Sequence, residues 1–481
     1  MVRAVRPRHL VLAVVSCLAL VASMGAAGAG TDPQPGNGVG DAGGGPVAAP
    51  SEVSAPEAPG SSGDVRASLL PAGVPGLVVV PSNTGAANGT VDVVTKVTRP
   101  PAARTATLTD LKASCGLHGS AVAPDGQSAL VVGRCDADRT VEVIRDPGTT
   151  SATPGTPIDI SAFIAEGGPT FDVFGSGVAL SGDGQVGLVA IDSRGVVVLK
   201  RNADGTYAVD TSVQSAGTRE DGQPHPPGFL RSASANMTLT DGVVISPAPL
   251  ADGSFLGVGH GSTQDSSTVA VQVYTGLGKA PTAGTVLTDV RLRSGDDGNG
   301  GMAFSPTDPT RVVVVTTDGF AVLFLDNPAA PVLGVSTPLP GGGAGSSITV
   351  MPDGDHVVVS DGDRAFVYTG LRSATSTTAL VAKDAPVDFG AATVQGLAAL
   401  PTNDVAVALD QGATTTLGLV RGVLSPATYS AADDVALSTA SIGLNSLSAF
   451  PGADGYRMVA RDGGSSASAR PSSSGPPGRS R

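Results

Sequence analysis

The chain predicts an all-β fold in which one antiparallel unit is repeated, and three observations carry that prediction. First, one phrase recurs: an apolar strand led by Gly or Ser, a turn on Asp-Gly, then a Val-rich strand. It reads Gly119-Ser120-Ala121-Val122-Ala123-Pro124-Asp125-Gly126 and again Gly175-Ser176-Gly177-Val178-Ala179-Leu180-Ser181-Gly182-Asp183-Gly184. Weaker copies surround Asp252-Gly253, Ser305-Pro306, Pro352-Asp353-Gly354, Pro401-Thr402-Asn403-Asp404 and Asp454-Gly455. Second, the copies are spaced by roughly 45 to 70 residues, the period of β-propeller blades with variable loops. Third, no stretch sustains a three-four apolar periodicity, whereas short Val-rich runs bounded by Gly, Asp, Pro and Asn recur throughout.

Taken from the N-terminus, residues 1–29 read as an export signal. Arg3, Arg6 and Arg8 form a positive start, Leu10 to Val21 an apolar run, and Ala27-Gly28-Ala29 a small-residue cleavage site. The run is too short for a transmembrane span, and no second apolar stretch of about 20 residues follows. Val14-Val15-Ser16-Cys17 resembles a lipobox, which would put a lipid anchor on Cys17. The run continues past that cysteine to Val21, which favours a plain signal peptide. Removing residues 1–29 takes away three arginines and no acid, so the net charge moves from -13 to -16. An acidic exported chain repels phosphate backbones, and no nucleic acid partner is expected.

Residues 30–68 are Gly, Pro, Ala and Ser with few large apolar side chains, and read as a disordered linker. Residues 463–481 (GGSSASARPSSSGPPGRSR) read as a tail of the same kind. Between them, residues 69–462 form the repeat domain. Its 66 Gly and 37 Pro, counted over the whole chain, and its lack of Trp leave Val, Ala and Leu to build the core. Val suits that task because branched side chains pack well on a pleated surface.

Each unit supplies an inner strand such as Ser120–Ala123, a second such as Ala129–Val132, a third such as Thr140–Ile144 and a more polar outer strand such as Pro157–Ile160. Four antiparallel strands, radially repeated, protect their own edges. Inner strands near Ser120, Gly177, Leu239, Met302, Ile348, Leu397 and Leu447 count seven blades, with six or eight as the alternatives. The segments Leu77–Val80, Val91–Val94 and Ala106–Leu108 look like later strands without a first, while the last unit ends after Tyr456–Ala460. The two ends complete one another if the last blade is shared between the termini. One strand is then surplus, because Leu77–Val80 and Tyr456–Ala460 both read as second strands.

The pattern of apolar strand, Asp-Gly turn and Val-Val strand resembles the SPDG or YVTN type of β-propeller repeat. The segment Leu77-Val78-Val79-Val80-Pro81-Ser82-Asn83 followed by Thr90-Val91-Asp92-Val93-Val94 is similar to a YVTN second-to-third strand hairpin. The resemblance covers roughly residues 75 to 460 and lacks the Trp-Asp dipeptide of WD repeats. It implies architecture alone. Families of that architecture include bacterial surface-binding propellers and lactonase-like enzymes.

Cys115 and Cys135 flank Asp125-Gly126 symmetrically, so a hairpin turning there would set them opposite one another. In an oxidising compartment they are expected to form a disulfide, stabilising by roughly 3 kcal/mol, the alternative being two buried thiols. At the expected channel mouth, where inner strands begin, stand His118, Ser176, Asn236, Asn299, Ser346, Gln395 and Asn445. Such a ring of amides, hydroxyls and one imidazole suits a polar ligand. It equally suits side chains that satisfy strand-end backbone groups.

Catalytic signals are sparse. His118, His225, His260 and His356 are scattered, there is no G-x-S-x-G elbow, and no metal or other cofactor is expected. Asp297, Asn299 and Asn445 are the best candidates for a channel cation in a lactonase-like alternative. Ser294 to Gly300 is oxygen-rich but lacks the EF-hand spacing, and reads as an acidic turn, as do Asp136-Ala137-Asp138 and Asp361-Gly362-Asp363. The longest insertion, roughly Ser215 to Ser234, is proline-rich and reads as a semi-rigid loop standing off one face. The sequence is thus read as an exported, non-catalytic binding or scaffolding module for an envelope protein or a polysaccharide.

Overall fold

A computed structural model describes residues 77–82, 89–95, 103–111, 117–125, 127–133, 140–146, 152–163, 175–191, 195–219, 222–233, 237–263, 269–293, 301–399, 403–411, 415–436, 444–449, 455–460 and 465–469. All belong to the compact unit Arg66–Arg481. The signal, the linker, Cys17, Cys115, Cys135, Asn236, Asp297 and Asn299 lie outside the described residues.

The structure is all-β, with helix confined to single 3-10 turns such as Ala431–Asp433. The strands among the described residues form eight antiparallel sheets, numbered here in chain order. Sheet 1 holds Leu77–Ser82, Gly89–Thr95 and Ala103–Leu111. Sheets 2 to 7 open on Leu117–Val122, Gly175–Leu180, Met237–Ile245, Met302–Phe304, Ser347–Val350 and Thr393–Ala399. Sheet 8 holds Leu444–Ala449, Gly455–Ala460 and Ser465–Ala469. Within each sheet the first four strands, or all three in sheets 1 and 8, are neighbours in chain order. The stretch expected to be tail therefore supplies a strand, Ser465–Ala469.

A turn aspartate makes the first hairpin of sheets 2 to 6, followed by Gly in all of them but sheet 5, where Pro309 follows Asp308. A short side-chain acceptor can bond the backbone two residues on and close a turn. The N–H groups of Gln127, Gln185, Ser254, Thr310 and Asp355 donate to Oδ1 of Asp125, Asp183, Asp252, Asp308 and Asp353 at 2.9–3.0 Å. The following Val-rich strands are buried on both faces, as in Val186–Ile191 and Arg311–Thr316. Alternate side chains serve opposite neighbours. Val197 and Leu199 pack with Leu130, Val141 and Phe163 of the sheet 2 segment, whereas Val196 and Val198 pack with Leu239 and Tyr274 of sheet 4. Sheets 4 and 5, 5 and 6, and 6 and 7 share cores in the same way. Each fully buried Val or Leu contributes about 1.5–3 kcal/mol.

Polar links reinforce the stacking. Arg201 Nη2 of sheet 3 pairs with Asp125 Oδ2 in the first turn of sheet 2 at 2.5 Å. Between sheets 6 and 7, the hydroxyls of Ser347 and Thr349 accept the N–H groups of Leu397 and Ala399, each at 3.1 Å.

The outer strand departs from the expected single run. In sheets 2, 5 and 6 it is two short pieces, such as Thr153–Pro154 and Ile158–Asp159, both paired with the third strand. In sheet 3 the pieces are Tyr207–Val209 and Phe229–Arg231, the second of which lies within the long insertion. The insertion therefore extends from the outer strand.

Candidate functional site

The candidate site is the end of the sheets at which first strands begin. His118 and Ser176 are the second residues of Leu117–Val122 and Gly175–Leu180, Gln395 the third of Thr393–Ala399, and Asn445 the second of Leu444–Ala449. Ser346 immediately precedes Ser347–Val350.

Strand register shows a feature that the sequence reading missed. In sheet 2 Leu117 pairs with Gly133 and Gly119 with Val132, so His118 is an extra, unpaired residue. Gly175 pairs with Ile191 and Gly177 with Ala190, leaving out Ser176. Val394 pairs with Leu409 and Gly396 with Ala408, leaving out Gln395. Leu444 pairs with Ala460 and Ser446 with Val459, leaving out Asn445. Each is a β-bulge, which takes one residue out of the ladder and bends the strand. Sheet 4 breaks register more widely, between Thr238 and Gly242. The first strands of sheets 5 and 6 pair without a break. A local signal exists: each bulged polar residue follows Leu, Val or Gly and precedes Gly or Ser.

Ser346 differs from these four. Its N–H donates to Ser360 O at 2.9 Å, and its hydroxyl lies 3.0 Å from Ser360 Oγ. That hydroxyl closes a strand end, the alternative foreseen for the whole ring. Gly345 O just before it accepts Nη1 of Arg293 at 3.3 Å.

The other histidines lie apart. His225 is buried in the insertion, with Nε2 3.4 Å from Arg231 Nη1 and its ring 6.0 Å from that of Phe229. His260 is buried in the second strand of sheet 4. His356 Nδ1 lies 2.6 Å from Asp353 Oδ2 at the first turn of sheet 6. Burial tends to raise the Asp353 carboxyl. Bonds from the N–H groups of Asp355 and His356 and from the imidazole outweigh it and hold the group below its ordinary value. Among the described residues, no three His, Cys, Asp or Glu side chains gather as metal ligands.

The insertion is tied down. Ser215 Oγ donates to Phe229 O and accepts Arg231 N, both at 2.7 Å, while Arg219 N reaches Gln223 O at 2.7 Å. It is a pinned hairpin with its tip around Gly222.

No known protein family matches the chain, and no curated protein does. Solved structures do show likeness. The β-propeller domain of Cps50 (Swd1) from Myceliophteria thermophila is 10% identical with a TM-score of 0.46, over 74% of this chain and 97% of that one. A putative 6-phosphogluconolactonase from Bacteroides uniformis is 13% identical with a TM-score of 0.48, over 76% and 98%. A protein from Lactobacillus plantarum is 15% identical with a TM-score of 0.47, over 76% and 98%.

Proposed function

We propose that this chain is an exported, seven-bladed β-propeller that acts as a binding or scaffolding module at the cell envelope. One observation carries the ring. The first strands of sheets 2 to 8 touch one another in chain order, and Leu444–Ala449 of sheet 8 also touches Leu117–Val122 of sheet 2. Seven inner strands then surround a channel, at the positions expected from the repeat. Sheet 1 extends the seventh blade, since Leu77–Ser82 lies against Ser465–Ala469. Six strands from both ends thus make one composite blade, a larger surplus than the sequence suggests. Export follows from the charged, apolar and small-residue pattern of residues 1–29, and binding from the polar residues at the strand starts.

The test weighs this reading against a lactonase-like hydrolase with a divalent ion in the channel. Metal content and thermal melting of the purified protein are measured in calcium and in chelator, together with turnover of lactones. The expected result is no stoichiometric ion, no chelator shift of the melting temperature and no turnover, alongside saturable binding to isolated envelope components. A bound ion whose removal lowers melting and abolishes lactone hydrolysis would replace the binding reading with the enzyme.

A further inference from the structure

From the arc of four consecutive bulged first strands, we infer that Gln395, Asn445, His118 and Ser176 form a subsite for a neutral carbohydrate. This deepens the binding reading above and rests on it. The four strands are neighbours in the order sheet 7, sheet 8, sheet 2, sheet 3, each touching the next. In each, the bulge falls within the first three residues, so the four extra residues share one end of the sheets.

The residue types follow the bulges. All four extra residues are polar, and seven of their eight immediate neighbours in sequence are Gly, Leu or Val, Ser446 being the exception. Sheet 5, which has no bulge, begins Met302-Ala303-Phe304. Sheet 6, also without a bulge, begins Ser347-Ile348-Thr349, but there the serine stays in the ladder, paired with Ser360. A bulge also releases the extra residue's own backbone donor and acceptor from the first hairpin. Repeating that device in four adjacent strands concentrates such groups on one arc.

The chemistry of the arc selects the ligand class. Two amides, an imidazole and a hydroxyl each offer donor and acceptor capacity. Vicinal sugar hydroxyls need both. Anions are disfavoured, because the arc holds no Lys or Arg and the chain is strongly acidic. Second strands ending on the same side carry carboxylates nearby in sequence, as at Asp318, Asp361 and Asp410. Hard cations want several carboxylate ligands, and the arc itself holds none.

The test titrates the purified full-length chain by calorimetry with maltohexaose, cellohexaose, mannohexaose and xylohexaose, and with hexagalacturonate as the anionic probe. At least one neutral hexasaccharide should bind saturably, with hexagalacturonate at least ~10-fold weaker. Asn445→Ala and Gln395→Ala should each weaken that sugar by about 10-fold, the loss of a well-formed hydrogen-bond set. Val381→Ala, on the exposed outer strand Val381–Ala382 of sheet 6, should change it by less than about 2-fold. Gln395→Met keeps the side-chain length without the amide and serves if Gln395→Ala disturbs folding. Failure of every neutral sugar to bind, or tighter binding of hexagalacturonate, overturns the ligand class and leaves the binding module open to a protein partner. Sugar binding unchanged by the Gln395 and Asn445 substitutions overturns the arc while upholding the module.

Discussion

At the scale of single residues, the tyrosines show how a chain without Trp builds its core. Tyr274 is fully buried between sheets 3 and 4, in space left by Gly257 and Gly259 opposite it. Its hydroxyl has no hydrogen-bond partner among the described residues. An unsatisfied buried hydroxyl costs roughly 1–3 kcal/mol, so Tyr274→Phe should leave stability unchanged or raise it by about 1 kcal/mol. Chemical denaturation checks this, and a clear loss would reveal a bond to that hydroxyl. Tyr207 is different, since it donates to Gly184 O at 2.6 Å. Burial pushes Tyr207 and Tyr368 up to about 12, and also raises Tyr274 and Tyr429, the last helped by its bond to Asp434. The folded state therefore holds these protons beyond the ordinary tyrosine value of about 10. Their contribution is full below about pH 10 and is lost as pH rises through about 12. Alkaline unfolding should begin in that window, with tyrosinate absorbance rising together with loss of β signal in circular dichroism. Tyrosinate appearing well before unfolding would contradict it.

At the scale of elements, the first hairpins were legible because their chemistry is local. Asp at the turn and Gly after it show in the sequence, and the side-chain acceptor and the positive φ both follow. Gly354 has φ +70°, and a Cβ there would overlap Thr307 Oγ1 of sheet 5. Gly362, in the next turn of sheet 6, has φ +60° and open space around it. Gly354→Ala should therefore cost about 2–3 kcal/mol, and Gly362→Ala only about 1 kcal/mol. Thermal melts of the two variants make the comparison, and equal losses would show that the approach of sheet 5 to this turn is unimportant. The outer strands were far less legible. Pieces of two residues, such as Val381–Ala382 and Val387–Asp388, are too short to show a period. The bulges were hidden for another reason. Register is a relation between two strands, and the position of His118 or Gln395 in one of them carries no record of the ladder it leaves. What the sequence does show there, a polar residue between small or apolar ones, becomes readable once four sheets are aligned.

At the scale of the whole molecule, the segments read as inner strands near Ser120, Gly177, Leu239, Met302, Ile348, Leu397 and Leu447 are strands, whereas the sequence did not show how the ends meet. Leu77–Val80 and Tyr456–Ala460 were both legible as strands from their short apolar runs between turn residues. Ser465–Ala469 (SSASA) has no large apolar side chain, so composition made it a tail, although the ladder pairs it with Gly455–Ala460. Its backbone bonds to Gly455–Ala460 are what it adds. If the composite blade closes the ring, that strand matters out of proportion to its composition, because it stands between Gly455–Ala460 and the neighbouring Leu77–Ser82. A chain ending at Asp462 loses it and exposes the paired edge of Gly455–Ala460, which invites association with other chains. A chain ending at Arg470 keeps it. The shorter chain should melt at least about 5 °C lower and aggregate at concentrations where the longer one stays monomeric, while the longer one should match the full-length protein. Equal melting of the two chains would mean that the ring closes without Ser465–Ala469, with Leu444–Ala449 against Leu117–Val122 as the whole of the seam.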